Sequence, residues 1–239
     1  MSNVSGFSTS VIAALSTDQI QALTTADIVS LTTAQMVALT TDQIAALKTN
    51  QISVLSTTTM GVLTTAQVAA IETRDVAVLK TSQIAALTTA GVAALTTDQV
   101  QRLSTSGMAG LRTTQVAALT TAQVAALTSE QVAALTTSGV VAFNTAQVAA
   151  IETTDVDALT TRQVAALSTA SVAALTTDQV AALTTSQISA VTTTGMGALS
   201  TAQVAAIETA DVAALKTSQV AALTTAGTAA LTTAQVQAL

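Results

Sequence analysis

Acidic side chains recur as pairs three residues apart, and this spacing could bring two carboxylates to one metal ion. The segment I-E-T-x-D-V occurs three times, with the pairs Glu72 and Asp75, Glu152 and Asp155, and Glu208 and Asp211. A hard cation such as Ca²⁺ takes about six to eight oxygen ligands, so each pair would supply only part of a site. In the alternative interpretation the carboxylates lie beside the positive N-terminus of a short helix, where each contributes about 0.3–1 kcal/mol. We expect the second interpretation to hold and keep the six residues as weak calcium candidates.

The residue types that most enzymes use are missing. The 239 residues include no His and no Cys, 1% are aromatic and 8% are charged. This composition excludes Ser-His-Asp triads, thiol nucleophiles, ordinary zinc sites and haem ligation through the usual axial residues. Because no cluster of acid, base and nucleophile can be named, we predict that the protein is not an enzyme, needs no cofactor and has no small-molecule substrate.

Charge and hydropathy restrict the partners further. A net charge of −6 leaves no basic face to neutralise phosphates, so we expect no nucleic-acid partner. Apolar runs are only about four or five residues long, whereas a membrane-spanning helix needs about 20. The N-terminal segment has neither a basic n-region nor a small-residue cleavage site, so no cleavable signal peptide is visible.

The elements that carry these residues repeat every eight positions. After a lead-in of residues 1–6, the sequence divides from Phe7 to Ala238 into 29 octads without insertion or deletion, and Leu239 opens a thirtieth. The consensus is L-T-T-A-Q-V-A-A, numbered here as positions 1 to 8. Position 1 is Leu in 23 octads and position 6 is Val, Ile or Met in every octad except at Thr228. We predict that these two positions form the core, represented by Leu63, Val68, Leu95, Val100, Leu119, Val124, Leu175 and Val180.

The repeat length decides between backbone conformations. Eight residues turn a helix by about 800°, so one continuous helix would have no fixed apolar face. A continuous flat strand would point positions 1 and 6 to opposite faces. A short helix in each octad resolves both problems, with Thr at position 3 as the N-cap and with positions 4 to 8 and the next position 1 in the helix. Position 3 is Thr in 28 octads, and the predicted caps include Thr41, Thr65, Thr97, Thr121, Thr177 and Thr201.

Helices this short must be held by their neighbours, because isolated helices of fewer than about 12–15 residues are marginal in water. The sequence therefore predicts an all-α solenoid with one helix per octad, arranged as a single array over residues 7–239. A β-solenoid is the alternative, since Thr and Val suit strands. A minor alternative follows from it, in which aligned Thr side chains bind ice.

Position 5 carries a second pattern. It is Gln in 17 octads, and no two octads without Gln are adjacent. We interpret this as a meeting of the position-5 side chains of successive helices inside the solenoid, where a long Gln amide that bonds to a neighbouring loop needs a small partner.

Two families resemble the octad. The fragment L-T-T-D-Q-V-A-A-L at Leu175 to Leu183 resembles the first short helix of transcription-activator-like effector repeats, L-T-P-x-Q-V-V-A-I, without their Pro, base-reading loop or basic stripe. The whole array is similar to the L-T-T-x-Q-V-A-A-L tandem repeats of very large bacterial proteins. That resemblance implies a secreted or surface-associated protein, although a cytoplasmic one also fits a chain without a visible signal.

These observations predict a structural role. We expect a spacer or stalk, or a segment of a filament, because the pattern builds a continuous narrow core and little else. Neither terminus has the polar outer face that usually closes a solenoid, so we expect a fragment of a longer chain or end-to-end self-association. The alternative is a repetitive adhesin-like binding module, in which positions 2, 4 and 7 face a peptide, a glycan or a surface.

Overall fold

A computed structural model describes residues 4–239, and this part of the chain is helical with no strand. It forms two compact units, the first ending at Leu119 and the second comprising Thr120–Leu239. The helices are η1 (Val4–Gly6), α1 (Thr9–Ala13), α2 (Thr17–Ala22), α3 (Thr25–Ser30), α4 (Thr33–Ala38), α5 (Thr41–Ala45), α6 (Thr49–Ile52), α7 (Thr57–Met60), α8 (Thr65–Ala70), α9 (Thr73–Val76), α10 (Thr81–Ala86), α11 (Thr89–Ala94), α12 (Thr97–Arg102), α13 (Thr105–Ala109), α14 (Thr113–Ala117), α15 (Thr121–Ala125), α16 (Ser129–Ala134), α17 (Thr137–Val141), α18 (Thr145–Ala149), η2 (Thr153–Asp155), α19 (Thr161–Ala166), α20 (Thr169–Ala173), α21 (Thr177–Ala181), α22 (Thr185–Ile188), α23 (Thr193–Met196), α24 (Thr201–Ala206), α25 (Thr209–Val212), α26 (Thr217–Ala221), α27 (Thr225–Ala229) and α28 (Thr233–Ala238).

Every octad folds in nearly the same way, as the one around Thr40 shows. Thr40 is extended, with φ −74° and ψ 163°, and its carbonyl accepts the first helical hydrogen bond from the Ile44 N–H at 3.0 Å. Its hydroxyl accepts the Gln43 N–H at 3.2 Å. The residue before it, Leu39, is also extended, with φ −61° and ψ 136°. The chain therefore turns at positions 1 and 2, and the helix begins at position 3.

The predicted N-caps were wrong by one residue. Position 3 is the first residue of each helix, and the cap is the residue before it. The six predicted caps, Thr41, Thr65, Thr97, Thr121, Thr177 and Thr201, follow the true caps Thr40, Thr64, Thr96, Thr120, Thr176 and Ser200. The reason is that the backbone at position 2 is extended and its side-chain oxygen faces the amide of position 5, inside the first turn of the helix. The Leu at position 1 likewise lies outside the helix that was predicted to include it.

Within each unit, helices stack on the helix three octads away. In the first unit α2, α5, α8, α11 and α14 form one such column, and in the second unit α21 packs on α24 and α24 on α27. One turn therefore comprises three octads. Adjacent turns approach closely at small residues: a Cβ added to Gly61 would lie 3.2 Å from the carbonyl oxygen of Ala86. Each unit is thus a solenoid of short helices, as predicted, and the β-solenoid is excluded for the described residues.

Positions 1 and 6 fill the interior. All eight predicted core residues are buried, with Val68 and Val100 completely so and Leu175 5% exposed. Position 5 joins them, since its Gln side chains from Gln35 onward are 0–3% exposed. Position 8 is half-buried in most octads, and positions 2 to 4 mostly face solvent. The Thr pairs lie at helix starts and not on flat strands, so the arrangement required by the ice-binding alternative is missing from residues 4–239.

Candidate functional site

The most elaborate polar arrangement is a ladder of buried Gln side chains at position 5, which we call the glutamine ladder. Gln99 represents it. Its Oε1 accepts the N–H of the N-cap Thr96 at 2.8 Å, and the Gln99 backbone N–H donates to the Thr96 hydroxyl at 3.1 Å. These two reciprocal bonds form a capping box at the start of its own helix.

The other end of the Gln99 side chain reaches the preceding turn. Its Nε2 donates to the carbonyl of Val68 at 3.0 Å and to that of Ile71 at 2.6 Å, 31 and 28 residues earlier. The Val68 carbonyl lies near the end of α8 and also accepts the Ile71 N–H at 3.2 Å, whereas the Ile71 carbonyl lies in the following turn, outside the helix. One buried side chain thus satisfies the start of one helix and the end of another.

The same pair of spacings recurs along both units. Donation from Nε2 to carbonyls 31 and 28 residues earlier is made by Gln35, Gln43, Gln51, Gln67, Gln83, Gln99, Gln115, Gln163, Gln179, Gln187, Gln203, Gln219 and Gln235. Within residues 4–239, no buried side-chain nitrogen or oxygen lacks a hydrogen-bond partner. The interpretation that the Gln amide bonds to neighbouring main chain is confirmed. The meeting of position-5 side chains of successive helices and the need for a small partner stay predictions.

The acidic pairs are split between the interior and the surface. Asp75 is 1% exposed, and its Oδ1 accepts the hydroxyl of Thr49, 26 residues earlier, at 2.5 Å. Asp155 accepts from Ser129 at 2.5 Å and Asp211 from Thr185 at 2.6 Å, at the same spacing. Each of these Asp residues therefore links two turns in place of a Gln.

The Glu partner of each pair is not part of this link. Glu72, Glu152 and Glu208 are exposed N-cap residues whose side chains make no capping bond. In the described part of the chain, no three acidic, His or Cys side chains come close enough together to hold a metal ion. The ion pair found there joins Arg74 Nε to Asp75 Oδ1 at 3.7 Å. Each calcium candidate is therefore only a pair of carboxylates. In each pair the Asp carboxylate already accepts a hydrogen bond from a Thr or Ser hydroxyl.

Hydrogen bonds at the start of α3 lower the pKa of Asp27. The Thr24 hydroxyl donates to Asp27 Oδ2 at 2.6 Å, and the Thr24 backbone N–H donates to the same oxygen at 2.9 Å. These bonds, the hydroxyl first, hold the pKa of Asp27 below its ordinary value. At Glu130, the residue's own backbone N–H and the Thr128 hydroxyl lower the pKa of the carboxyl.

A sequence signal for this arrangement exists at positions 2 and 5. Thr at position 2 and Gln at position 5 have the T-x-x-Q spacing of a capping box, which would have placed the N-cap correctly. The signal is missing from octads in which position 2 has no side-chain oxygen to act as a cap, as at Lys48, Lys80 and Arg112. Their octads keep Gln, whose Oε1 still accepts the N-cap N–H at 2.7–2.8 Å. The contacts that the same Gln side chains make with the preceding turn have no comparable local signal.

Comparison with known proteins identifies the repeat. A family model described as the ALTTAQ repeat matches residues 4–33, 12–49, 36–70, 68–105, 106–137, 148–185 and 204–239. The six letters correspond to positions 8, 1, 2, 3, 4 and 5, as in Ala118 to Gln123. No curated protein matches the chain. Since the matched segments cover well over half of its length, the chain belongs to the ALTTAQ repeat family.

Proposed function

We propose that this chain is a non-enzymatic structural module, a spacer or stalk whose length is set by the number of octads. The observation that carries the proposal is the glutamine ladder. Its side chains, like Gln99, use their hydrogen bonds to join one turn to the next. Such a ladder resists separation of the turns, because pulling them apart would expose unpaired carbonyls and amides.

The surroundings that we propose for this module are extracellular or on the surface of a bacterial cell. The support is the similarity of the octads to tandem arrays of very large bacterial proteins. Within residues 4–239, no helix has the length and apolar character needed to cross a bilayer. In this setting the solenoid would hold other segments at a distance or join further copies into a filament.

A deletion series tests the spacer. Removal of residues 72–95, which is three octads, should preserve the helical circular dichroism per residue and bring labels at positions 42 and 114 closer by one turn, about 8–10 Å. A matched deletion of residues 72–91 removes four residues fewer but breaks the octad register, so it should lose helicity around the junction. If both deletions preserved the helicity per residue and shortened the distance between the labels equally, the proposal would be contradicted.

A binding module is the second candidate, and one surface feature favours it. A shallow groove of about 430 Å³ lies between turns of the second unit, lined by small and polar residues that include Thr136, Thr160 and Arg162. A glycan and peptide array tests this candidate. Saturable binding that Arg162→Ala abolishes would replace the spacer with a binding function, whereas unsaturable or absent binding would leave the spacer as the better account.

A further inference from the structure

Position 3 is the most constant position of the repeat, and the fold accounts for it in only a few octads. It is Thr in 28 of the 29 octads and Ser129 in the other. Position 2 is the N-cap, yet eight octads have Lys, Glu, Arg or Asn there. The position that caps no helix therefore always keeps a hydroxyl, while the position that caps often loses it.

Most position-3 hydroxyls are accessible and make no hydrogen bond. The residue is exposed in 25 octads and half-buried at Thr49, Thr73, Ser129 and Thr137. Its hydroxyl donates to the next turn at Thr49, Thr81, Ser129 and Thr185. In the other octads this hydroxyl has no hydrogen-bond partner among residues 4–239. The array thus carries 23 hydroxyls at position 3 that are both exposed and unpaired.

Packing of the Thr methyl does not explain this constancy. Cγ2 of Thr81 does face the next turn, where a Cβ added to Gly110 would clash with it. Ser129 has no such methyl, and its octad still forms the helix α16. Helix propensity does not explain it either, because even Pro is favoured at the first position of a helix. The group that all 29 octads share is the hydroxyl.

We propose that the exposed, unpaired position-3 hydroxyls are acceptors for O-linked glycosylation by a transferase that uses a nucleotide-activated sugar. The Thr Oγ attacks the anomeric carbon of the sugar and forms the new C–O bond. The bond from that carbon to the phosphate oxygen breaks, and the nucleoside diphosphate leaves with the electron pair. The hydroxyl proton passes to a base of the transferase. The product is a folded solenoid with a sugar on most octads.

The surroundings of these hydroxyls favour an uncharged sugar over a phosphate. Their neighbours at positions 2, 4 and 7 are mainly Thr, Ser and Ala, which are small and uncharged. The chain has 7 Lys and Arg against 13 Asp and Glu, too few cations to pair with a phosphate in most octads. Phosphates on successive turns, about 8–10 Å apart, would also repel one another. A neutral, hydrated group avoids both costs.

A sugar at position 3 is compatible with the turn-to-turn bonds, because the Gln side chains of the ladder from Gln35 onward are buried. The inference rests on the proposed function, in which the solenoid is a spacer at a cell surface. A hydrated coat on its outside would keep neighbouring spacers apart and restrict the access of proteases to the main chain.

Mass spectrometry of the chain isolated from the cell that makes it tests the proposal. The intact mass should exceed the 23.7 kDa of the sequence by whole sugar units, which β-elimination should release. Electron-transfer fragmentation should place the sugars on exposed, unpaired residues such as Thr65 and Thr97. It should find none on Thr49 and Ser129, which are half-buried and hydrogen-bonded to the next turn.

Substitutions of two adjacent residues in the same cell give the matched comparison. Thr97→Val should lose the sugar of its octad, and Thr97→Ser should keep it. Thr96→Ser retains a hydroxyl at the N-cap and should leave the sugar on Thr97. Circular dichroism should show the same helicity in all three variants, since none removes a bond between turns.

Three results would overturn the glycosylation proposal: an intact mass equal to that of the sequence, a phosphate in place of the sugar, or equal occupancy of Thr49 and Thr97. The octad deletions described above separate this failure from failure of the spacer. If the chain carries no sugar but shortens by one turn on removal of three octads, only the glycosylation is wrong. If the deletion of three octads loses helicity, the spacer is wrong whatever the mass spectrum shows.

Discussion

A single Gln at position 5 completes the main-chain hydrogen bonding at two places in successive turns. Its Oε1 meets a donor at a helix start and its Nε2 meets two acceptors near a helix end, all inside the protein. Neither Glu nor Asn can make both sets of bonds, because Glu lacks the donors and Asn is shorter by one methylene. The residue therefore combines the roles of a helix cap and a cross-link.

Gln99→Ala should destabilise the first unit by about 2–4 kcal/mol, because it leaves the Ile71 carbonyl and the Thr96 N–H without partners in a buried place and removes one of two donors to the Val68 carbonyl. Urea unfolding followed by circular dichroism measures the change. Gln19→Ala is the matched control, since its amide Nε2 has no acceptor within the described chain, and a monomeric sample should lose less than about 1 kcal/mol. Equal losses would show that the bonds between turns contribute nothing.

Thr24→Val should raise the pKa of Asp27 toward its ordinary value, because the Thr24 hydroxyl is the main cause of the depression. The sign for stability follows: a carboxyl with a depressed pKa in the folded state stabilises the fold above its unfolded pKa, and this contribution is lost as pH falls through the folded value. Carbon-detected NMR titration of the Asp27 carboxyl measures the shift.

The neighbouring Thr25→Val variant is the control for this titration. Thr25 is the first residue of α3, one position after the N-cap that bonds to Asp27, so the pKa of Asp27 should stay depressed. A rise in both variants would mean that the hydroxyl at position 2 is not the cause.

At the scale of the helix, the cap explains why elements of four to six residues persist. In most helices a first-turn amide is satisfied by the side chain of the residue before the helix, and in most octads carbonyls near the helix end accept from a Gln of the next turn. The helix is thus stabilised at both ends from outside its own hydrogen-bonded segment. Position 2 tolerates Lys or Arg because the Gln still bonds to the N-cap amide.

Thr96→Ala should cost about 0.5–2 kcal/mol, the usual effect of losing an N-cap hydroxyl. Thr97→Ala, one residue later and exposed at the first helical position, should cost less, since that hydroxyl caps nothing. Paired urea melts of the two variants give the comparison. A larger loss of stability from Thr97→Ala than from Thr96→Ala would show that position 3 is the N-cap and would contradict a helix that begins there.

The sequence was sufficient for the short helix and the buried positions, but not for their exact connection. Because neither a continuous helix nor a flat strand fits an eight-residue repeat, the regular backbone must be interrupted once per octad. The apolar residues at positions 1 and 6 then indicated the core. Adjacent Thr40 and Thr41 are chemically equal as caps, and only the capping-box spacing to Gln43 separates them. The contacts between turns were inaccessible, because any stacking by whole octads places identical residue types together.

At the scale of the whole molecule, the length of a turn follows from stacking and not from the repeat. The described helices pack on the helix three octads away in both units, so three octads build one turn. The bonds from Thr49 to Asp75 and from Gln99 to Val68 are consequences of that choice. Whole turns can be added or removed without disturbing these contacts, which is the property that a spacer requires.

Distances along one column of helices test the central claim most directly. Asp18, Ala66 and Thr114 are exposed at position 4 of α2, α8 and α14, which belong to one column of the first unit. Spin labels on Cys pairs at 18 and 66, and at 18 and 114, span two and four stacking steps. Since packed helices lie about 8–10 Å apart, the expected distances are about 16–20 Å and about 32–40 Å, both narrow.

The result that would contradict the account is equally specific. A flexible chain would give a broad distribution near 50–60 Å for the wider pair, from about 5–6 Å times the square root of the residue number. Double electron-electron resonance distinguishes the two outcomes. Doubling of a narrow distance from the first pair to the second confirms a solenoid that acts as a spacer, and a broad distribution that grows with the square root of separation refutes it.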